Sequence, residues 1–563
     1  MIYSDLPNPD ILCRIPSAAR VIVDVGCGAG ALGAEHKRRN PTAKILGIEL
    51  NPEAAAKAKL RLDHVYTADL DVDPIPFSGE IEKGEIDCLI YGDILEHVRD
   101  PWKLLRQHME FLRKDGSVLL CIPNLEHWSF AERLLRGTWA YEDQGLFDAT
   151  HLRWFNADAV RKMLHSAGLA LLDTTPRTFD LPSCETFVAA VAPALQNLGI
   201  DRDAYQQRAA PLQYVWRARR QPLASQLTVV STMLNPVGGV SEVRVGEPMH
   251  ALKADPSLVT RVIATAEDPP LDIEGPRIFI FHRPLLAGEP GLERVKALLS
   301  RGWVIVCEFD DHPDYIPVLQ RPDIQNFRAV HAIQTTTEPL ASVLRRHNPE
   351  VVVFENAIAR LPTVTNFANK DYLTLMIAGL NREDEWPPYI DAINAVSERV
   401  GSGLHFEVVS DRALFNRLKT KHKRFSPLCN YGTYHELLEK SEISFMPLSD
   451  TPFNRCKSDL KFIEAAACRV VGLASDVVYG SRIDDGRTGM VFRTTEELED
   501  RLWQLVSDPA TARSIGDAGR QYVRDHRMLT YQLSRRAAWY HSLWERRDTL
   551  NQSLLARVPE LAG

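Results

Sequence analysis

The sequence predicts an α/β protein with parallel, doubly wound sheets, and three observations support that fold class. Short runs rich in Val, Ile and Leu, such as VIVDV, DCLIYGD and WVIVCEFDD, are typical of strands. Segments with helical periodicity, such as NPEAAAKAKLRL and DPWKLLRQHMEFLRKDG, follow them, and a glycine ends the second segment. The two kinds of segment alternate along almost the whole chain, which indicates parallel sheets with helices on both faces.

Length and composition set the limits of that prediction. A chain of 563 residues is too long for one ordinary core, so about two to four domains are expected. Hydrophobic residues make up 45% and charged residues 25%, as in globular proteins, and the net charge of -8 argues against wholesale nucleic-acid binding. Nine scattered cysteines without a C-x-x-C pair suggest reduced thiols in the cytoplasm, and no metal site is predicted. The first ten residues do not form a signal peptide, and no uncharged apolar run approaches the roughly 20 residues that span a bilayer.

The alternation is interrupted twice, so we expect three Rossmann-like units. It breaks near YVWRARRQPLASQ, restarts at LTVVSTMLNPVGG, and restarts again at YLTLMIAGL after the loop-like segment RLPTVTNFANKD. The tail, residues 509–550, looks helical and carries Trp539, Tyr540, Leu543 and Trp544 on one stripe. The expected domains are residues 1–222, 226–360 and 370–550, the last including the helical tail, with the second and third forming a pair.

The glycine-rich stretch VIVDVGCGAGALG has two interpretations. Read from Gly28 it is G-x-G-x-x-G, a dinucleotide fingerprint; read from Asp24 it is D-x-G-x-G-x-G. Both need glycines, because the backbone must turn tightly and approach a ligand. A carboxylate at Asp24 suits a cationic sulfonium and ammonium better than a pyrophosphate, although Asp24 is alternatively a capping turn residue. Glu49, which ends the next strand, could bind ribose hydroxyls of either cofactor.

The segments downstream separate the two interpretations. TADLD, IDCLIYGDILEHVRDPWKLL and HLRWFNADAVRKMLHSAG, in this order and spacing, resemble class I S-adenosylmethionine methyltransferases, most closely the ubiquinone- and sugar-O-methyltransferase-like group. The resemblance covers about residues 18–175 and a last strand at QYVWRARR. It implies that glycines pass beneath the methionine moiety, a glutamate holds the ribose, an Asp-Leu pair edges the adenine and an aspartate lines the pocket near the amino acid. The implied cofactor-binding residues are Asp24, Gly26, Gly28, Gly30, Glu49, Asp69, Leu70 and Asp93.

The methyl acceptor needs its own group of residues. Methyl transfer is an in-line displacement at carbon, in which the protein positions the acceptor and can remove its proton. A sugar hydroxyl has a high pKa, so a nearby base helps. His97 and His151 are the candidate catalytic bases, because histidine titrates near neutral pH. Each is alternatively a packing residue of the pocket wall.

The rest of the chain, from about residue 227 to residue 550, resembles a GT-B glycosyltransferase of the surface-polysaccharide type. NPVGGVSEVRVGEPMHAL resembles the acceptor-side glycine loop and VIVCEFDDHPD the E-x-D-D segment. HAIQTTTEPLASVLRRHNPEVVVFENAI closes the first half of the pair, and FMPLSDTPFNRCKSDLKFIEAAACRVVGLAS resembles the nucleotide-sugar motif. The resemblance implies a nucleotide sugar as donor substrate, bound by Gly239, Arg382, Lys457, Ser458, Lys461 and Glu464.

The physical requirements of glycosyl transfer fit that assignment. The leaving diphosphate needs charge stabilisation, and Lys457, Lys461 and the start of the helix SDLKFIEAAA supply a cation and a helix N-terminus. In the family, the glutamate at Glu464 holds the donor ribose; alternatively, Lys461 and Glu464 are an ordinary surface ion pair. Two departures are evident: Cys456 stands where the family often has a glutamate, and Arg382 alone represents the usual Arg and Lys pair.

Two features of this half stay open. An inverting reaction needs a base, which could be Asp310, Asp311 or His312, and Asp311 is the candidate. A retaining enzyme of this class can work without a protein base. The basic run NRLKTKHKRF could dock on acidic lipid head groups or a lipid-diphosphate acceptor, but a solvated helix face is favoured.

Three functions follow. The first is a bifunctional, cytoplasmic enzyme, in contact with the inner membrane face if the basic run docks there, that builds and O-methylates a cell-surface glycan or glycolipid. The second is a methyltransferase whose GT-B half has lost catalysis and binds glycan or nucleotide. An NAD-dependent oxidoreductase rests only on the ambiguous glycine loop and is disfavoured.

Overall fold

A computed structural model describes residues 6–223, 225–235, 239–368, 371–379 and 382–562. The chain forms two compact units, Met1–Ala224 with Ala254–Ser257, and Ser225–Lys253 with Leu258–Gly563. Part of the predicted acceptor-side glycine loop (residues 236–238), part of AGLNREDEW (residues 380–381) and the first five residues lie outside the described residues. The predicted fold class is confirmed: both units are α/β with Rossmann-like sheets. Within the described residues, no helix is both long and apolar enough to cross a bilayer.

The first unit contains one seven-stranded sheet. Its strands are β1 Val21–Val25, β2 Lys44–Glu49, β3 His64–Thr67, β4 Ile86–Gly92, β5 Leu112–Pro123, β6 Ala170–Arg177 and β7 Gln213–Arg219. Its helices are α1 Pro9–Leu12, α2 Ala31–Arg39, α3 Pro52–Ala58, α4 Pro101–His108, α5 Trp128–Arg136, α6 Ala157–Ser166, α7 Leu181–Asn197 and α8 Arg202–Ala209. The strand order is β3-β2-β1-β4-β5-β7-β6, with β7 antiparallel to both of its neighbours.

Both faces of this sheet are buried, which explains the apolar strand sequences. Ile22 packs into one hydrophobic cluster and the next residue, Val23, into the other, because successive side chains of a strand point to opposite faces. The strand order reverses between β1 and β4. Loops that follow the carboxyl ends of these two strands therefore flank a crevice, the usual ligand position in such sheets.

One predicted helix is shorter than its sequence suggests. The pattern DPWKLLRQHMEFLRKDG predicted a helix up to its glycine, but α4 ends at His108 and Leu112 already belongs to β5. Leu112 is buried and pairs with Ile86 across an irregularity in the β4–β5 register. The prediction was wrong because pairing with the central sheet overrides local helix propensity. A Cβ atom on Gly116 would lie 2.7 Å from the Leu112 side chain, which would then have to shift.

The second unit contains two six-stranded, fully parallel sheets. The strands of the first are β8 Leu227–Met233, β9 Leu258–Ala264, β10 Arg277–His282, β11 Val304–Glu308, β12 Ala332–Thr335 and β13 Val351–Val353. Those of the second are β14 Leu373–Ala378, β15 Leu404–Val409, β16 Lys423–Ser426, β17 Ile443–Met446, β18 Val471–Ser475 and β19 Met490–Phe492. The orders are β13-β12-β11-β10-β8-β9 and β16-β15-β14-β17-β18-β19. Strand order therefore reverses between β8 and β10 and between β14 and β17.

Helices cover these sheets. They are α9 Glu247–Ala251, α10 Gly288–Ser300, α11 Glu338–Leu344, α12 Ile390–Val400, α13 Arg412–Arg417, α14 Tyr431–Leu438, α15 Pro452–Arg455, α16 Leu460–Ala467, α17 Asp476–Tyr479, α18 Thr495–Ser507, α19 Pro509–His526, α20 Thr530–Glu545 and α21 Arg547–Arg557. A π-helical turn, Glu242–Gly246, precedes α9. Short 3-10 segments lie at Leu95–His97, Leu252–Ala254, Pro313–Tyr315, Pro317–Gln320, Pro387–Tyr389, Gly401–Gly403 and Pro559–Ala562.

Helix α20, the second helix of the tail, packs on a sheet other than the one that the tail follows in sequence. The sequence grouped it with residues 370–550, but Leu533, Tyr540 and Leu543 of α20 are buried with the side chains of β8, β10 and β11. Tyr540 donates a hydrogen bond to Gln334 of β12. The apolar stripe was visible in the sequence, whereas its partner was not, because amphipathicity shows that a helix is buried but not against what.

The sequence favoured a solvated helix face for the basic run NRLKTKHKRF, but the run does not form one helix. It covers the end of α13, a short connection and the start of β16. The ammonium of Lys423 is turned back onto the carbonyl oxygens of Phe415 and Leu418, at 2.9 and 2.7 Å. At least this cation serves the local backbone.

Candidate functional site

The glycine loop of the first unit forms a cradle after β1, which we call the glycine cradle (Asp24, Gly26, Gly28, Gly30 and Glu49). Its three glycines have φ values of 75°, 53° and 78°, in the left-handed region that side chains rarely adopt. A Cβ atom on Gly26 would also lie 3.0 Å from the Ile94 side chain. The sequence therefore needs glycine at these positions for backbone conformation as well as for ligand approach.

Two carboxylates lie inside the glycine cradle. Asp24 and Glu49 are each 4% exposed. Glu49 is fixed by the backbone: Oε2 accepts from the Gly28 N–H at 2.9 Å and Oε1 from the Asn51 N–H at 2.8 Å. Burial, and then the charge of Glu49, raise the pKa of Asp24 to about 7. A cationic ligand entering here would favour the ionised form of Asp24.

The other predicted cofactor residues lie at neighbouring strand ends. Asp69 is exposed and Leu70 half-buried in the loop after β3, where the Asp69 carboxylate accepts from the Asp71 N–H. Asp93 follows β4, accepts from the Gln213 side chain and has a φ of 55°. A non-glycine residue in that conformation is uncommon, although aspartate adopts it more readily than most residues. Because Asp93 directly follows β4, the neighbour of β1, it lies at the strand-order reversal beside the glycine cradle.

The two histidines predicted as acceptor-side bases are neighbours. The imidazole rings of His97 and His151 lie 4.8 Å apart in an edge-on arrangement. Glu96 was missed by the sequence analysis: one of its carboxylate oxygens and one ring nitrogen of each histidine lie within 4.8 Å of one another. Glu96 is 1% exposed, and neither of its carboxylate oxygens accepts a hydrogen bond within the described residues. The sequence feature that could have indicated Glu96 is its position directly before His97, on the turn that follows β4.

A cavity in the second unit lies at the carboxyl ends of β14 and β17, and we call it the cation cavity. Arg382 and Lys461 supply its positive charge. The Lys461 ammonium donates to the Ala378 carbonyl at 2.7 Å. Burial, followed by the charge of Arg382, lowers the pKa of Lys461 to about 8. Its other lining residues are Ile377, Ala378, Gly379, Trp386, Asp411, Phe445, Met446, Pro447 and Tyr479.

Glu464 is held by aromatic hydroxyls and not by Lys461. Tyr431 donates to Oε1 at 2.8 Å and Tyr434 to Oε2 at 3.3 Å, and Glu464 is 3% exposed. The alternative of a Lys461–Glu464 surface ion pair is wrong, because the Lys461 ammonium bonds Ala378 and Glu464 is buried. The sequence signal for the two tyrosines was their i,i+3 spacing in YGTY, which places both on one face of α14.

Gly239 lies against this tyrosine pair. Its φ is 83°, and a Cβ atom there would lie 2.3 Å from the Tyr431 ring. A side chain at this position would therefore displace the tyrosine that holds Glu464. Gly239 is therefore connected to Glu464, the predicted ribose residue, by way of the Tyr431 side chain, which contacts both.

A chain of alternating charges lies beside the E-x-D-D segment. Arg283 pairs with Asp310 at 2.6 Å and lies 3.9 Å from Asp311, which in turn is 4.0 Å from the Lys457 ammonium. Burial, with a contribution from Arg382, lowers the pKa of Lys457 although Asp311 opposes it. Asp310 pairs directly with Arg283, whereas Asp311 lies between Arg283 and Lys457 and accepts from the His312 N–H at 3.2 Å.

The helix start predicted to bind phosphate has an acidic cap. Ser458 accepts from the Asn356 amide at 2.8 Å and precedes the N-cap of α16, Asp459. Arg527 neutralises the buried Asp459 carboxylate through an ion pair. Cys456 is buried, and its carbonyl accepts from the Thr337 hydroxyl at 2.9 Å. Cys456 therefore fills a packing position and offers no charge to a donor.

Two family models match the chain. One, described as a methyltransferase domain, matches residues 10–174, and the other, described as glycosyl transferase-like, matches residues 390–536.

Curated relatives match parts of the chain. A segment of 103 residues is 29% identical to an uncharacterized 37.1 kDa protein in transposon TN4556 of Streptomyces fradiae, and covers 18% of this chain and 30% of that protein. A segment of 144 residues is 30% identical to the ubiquinone biosynthesis O-methyltransferase of Xanthomonas oryzae pv. oryzae, and covers 24% of this chain and 59% of that enzyme. The chain thus spans less than two thirds of the length of either relative.

Solved structures resemble parts of the chain. A SAM-dependent methyltransferase from Archaeoglobus fulgidus is 14% identical, with a TM-score of 0.27, over 38% of this chain and 94% of that chain. A variant of S. aureus TarM, in complex with fondaparinux, alpha-GlcNAc-glycerol and UDP, is 12% identical, with a TM-score of 0.34, over 47% of this chain and 55% of that chain. The two family models therefore indicate a methyltransferase domain within residues 10–174 and a glycosyl transferase-like domain within residues 390–536.

Proposed function

We propose that the protein is a bifunctional enzyme that transfers a sugar from a nucleotide sugar and a methyl group from S-adenosylmethionine to a hydroxyl of the same glycan or glycolipid. One observation carries the proposal: the site at the strand-order reversal is acidic in the first unit and basic in the second. Two buried carboxylates, Asp24 and Glu49, suit a cationic methyl donor. Arg382 and Lys461 suit a donor that carries a diphosphate.

In the first unit, each group has a defined task. The glycine cradle binds the amino-acid and ribose parts of S-adenosylmethionine, with Glu49 on the ribose and Asp69 with Leu70 beside the adenine. Asp93 borders the methionine end. His97 and His151 lie beyond it, where an acceptor hydroxyl would lose its proton to one of them. S-adenosylmethionine supplies the methyl group, which a sulfonium makes electrophilic.

In the second unit, the leaving diphosphate is the group to be stabilised. It carries more charge after the glycosidic bond to the sugar breaks than before. Cations at Arg382, Lys457 and Lys461 therefore stabilise the transition state more than the bound donor. Glu464 receives the donor ribose, and Asp311 is the candidate base for an inverting reaction.

A second candidate function has its own support. In the alternative, the GT-B half binds glycan or nucleotide without catalysis and presents the substrate for methylation. Cys456 stands where the family often has a glutamate, and both oxygens of Glu464 are occupied by Tyr431 and Tyr434. An active enzyme, in contrast, requires Tyr431 and Tyr434 to release Glu464 when the donor enters.

Ligand binding and turnover separate these functions. Thermal shift of the full chain should show stabilisation by S-adenosylhomocysteine and by one nucleotide sugar, but not by NAD, because tight ligands stabilise the folded state by mass action. Transfer from that nucleotide sugar, or its hydrolysis, would favour the bifunctional enzyme. Binding without release of the nucleoside diphosphate would favour the binding module. Stabilisation by NAD and not by S-adenosylhomocysteine would refute both.

A further inference from the structure

Behind the two histidines of the first unit lies a hydrogen-bonded chain that the proposed function does not yet use. The Thr150 hydroxyl oxygen is 3.0 Å from Nδ1 of His97 and 2.6 Å from Oδ1 of Asp148. The Thr150 N–H also donates to Oδ1 of Asp148, at 2.7 Å. Asp148, Thr150 and His97 are therefore linked in that order, and we call them the histidine relay.

The direction of the hydrogen bonds follows from the charge of Asp148. Burial works against ionisation of this carboxyl, which is 6% exposed. The two hydrogen bonds from Thr150, together with His151 and His97, outweigh burial and hold the pKa of Asp148 below its ordinary value. An ionised carboxylate only accepts hydrogen bonds. The single hydroxyl hydrogen of Thr150 is therefore donated to Asp148.

That assignment fixes the proton on His97. With its hydrogen committed to Asp148, the Thr150 hydroxyl oxygen can only accept from Nδ1 of His97. The Thr150 carbonyl oxygen, 3.3 Å from the same Nδ1, is likewise only an acceptor. Both neighbours require a hydrogen on Nδ1, which leaves the lone pair of a neutral imidazole on Nε2.

His151 differs from His97 in its surroundings. Burial, and then the proximity of His97, lower the pKa of His151, although Asp148 and a hydrogen bond to the Leu146 carbonyl oppose the shift. His151 stays neutral beside His97 near pH 7. His97, in contrast, is linked through the Thr150 hydroxyl to the carboxylate of Asp148.

We infer that Thr150 and Asp148 are positioning residues that hold His97 in its Nδ1-protonated form, so that Nε2 of His97 is the base for the methyl acceptor. The inference rests on the proposed methyltransferase function. The acceptor hydroxyl gives its proton to Nε2 as its oxygen bonds the methyl carbon and the carbon–sulfur bond breaks. The electron pair of that bond stays on sulfur, which leaves a methyl ether, S-adenosylhomocysteine and an imidazolium that returns its proton to solvent.

The experiment reads the tautomer directly. The deuterated full-length chain is labelled with ¹⁵N-histidine, and long-range ¹H–¹⁵N NMR spectra are recorded near pH 7, with His97→Asn to assign the signals. Wild type is expected to show a protonated Nδ1 and an unprotonated Nε2 at His97. Thr150→Val should lose that pattern and give a mixture of tautomers, whereas Thr150→Ser, which keeps the hydroxyl, should retain it.

Other outcomes overturn the inference. A protonated Nε2 in wild type, or an unchanged spectrum in Thr150→Val, would show that the relay does not set the tautomer. Broadening of the Nε2 signal by added Mn²⁺ would assign that nitrogen to a cation in place of a proton. S-adenosylhomocysteine titration of the same samples checks the fold and the cofactor site. Failure of wild type to bind it would sink the methyltransferase function while leaving the tautomer result intact.

Discussion

The glycine cradle of the first unit and the cation cavity of the second occupy the same position in their sheets, the point where strand order reverses. They differ in charge and in the groups that hold their buried glutamates. In the cradle, Glu49 is held by the N–H groups of Gly28 and Asn51, so its position depends on the loop backbone. In the second unit, Glu464 is held by the side-chain hydroxyls of Tyr431 and Tyr434. One topology thus carries an acidic site whose glutamate is held by backbone N–H groups and a basic site whose glutamate is held by tyrosine hydroxyls.

The largest expected effect lies in the cation cavity. Lys461→Ala should lower glycosyl transfer by roughly 10²- to 10³-fold with a smaller change in donor affinity, because it removes a charge that matters most in the transition state. Turnover is measured as release of nucleoside diphosphate from the nucleotide sugar found by thermal shift. Lys421→Ala, at an exposed position of the same unit, is the control. Full transfer by Lys461→Ala would mean that the donor phosphates lie elsewhere.

Glu49 tests the preformed site. Glu49→Ala should weaken S-adenosylhomocysteine binding by about 1–3 kcal/mol, since it removes hydrogen bonds to the ribose from a charged acceptor. Isothermal titration measures the change, and Glu53→Ala, an exposed glutamate on α3, is the matched control. Glu49→Gln should also weaken binding, because one carboxylate oxygen becomes an NH2 group that can no longer accept from the backbone. Equal affinity in wild type and Glu49→Ala would contradict the ribose assignment.

The pH dependence of the cradle depends on Asp24, whose pKa burial and Glu49 raise from 3.8 to about 7. A bound cation favours the ionised form, so S-adenosylmethionine affinity should rise roughly tenfold between about pH 6 and pH 8. The stability of the ligand-free protein should change with pH in the opposite direction. Between the unfolded and folded pKa values the folded chain holds a proton that the unfolded chain has lost, so the Asp24 contribution falls as pH rises through that window.

Asp24→Asn provides the control for this pH effect. The variant should bind S-adenosylmethionine more weakly at pH 8, and its affinity should no longer rise between those pH values. Titrations over the pH range, with melting curves of the ligand-free protein, measure both effects. A pH profile that is the same in wild type and Asp24→Asn would assign the titration to another group.

The tyrosines test whether the second site is self-occupied. Tyr431→Phe removes the hydroxyl that donates to Glu464, so donor affinity should increase by about two- to tenfold, the worth of one ordinary hydrogen bond. Tyr531→Phe, whose hydroxyl bonds the Arg524 carbonyl on a different helix, is the control. Weaker donor binding in Tyr431→Phe would show that the tyrosine contacts the donor and does not compete with it.

The smallest effect is expected from separating the units. We propose the boundaries predicted from the sequence, so residues 1–222 should bind S-adenosylhomocysteine with the affinity of the full chain, and residues 226–563 should fold alone. Titration of the first fragment and a cooperative melt of the second measure this. Aggregation of both fragments, with the full chain remaining soluble, would show that the boundary cuts through a shared core.

Much of the fold and of both donor sites follows from local sequence. Continuous apolar runs such as VIVDV gave their strands because a parallel sheet covered on both faces needs no polar side. The glycines of the cradle were recognisable because only glycine adopts their conformation readily. Lys461 and Glu464 were recognisable by their place in a resemblance, and their spacing alone suggested an ion pair that does not form.

Only the tertiary structure decided how distant segments meet. Local sequence cannot show that Glu464 receives two tyrosine hydroxyls from α14, that the tail packs on the sheet of β8, or that His97 is connected through Thr150 to Asp148. Leu112 entered a strand against its helical pattern because β4 offered a pairing partner. These contacts join residues far apart in the chain, and their energies depend on burial and charge in the folded state, which the order of amino acids does not display.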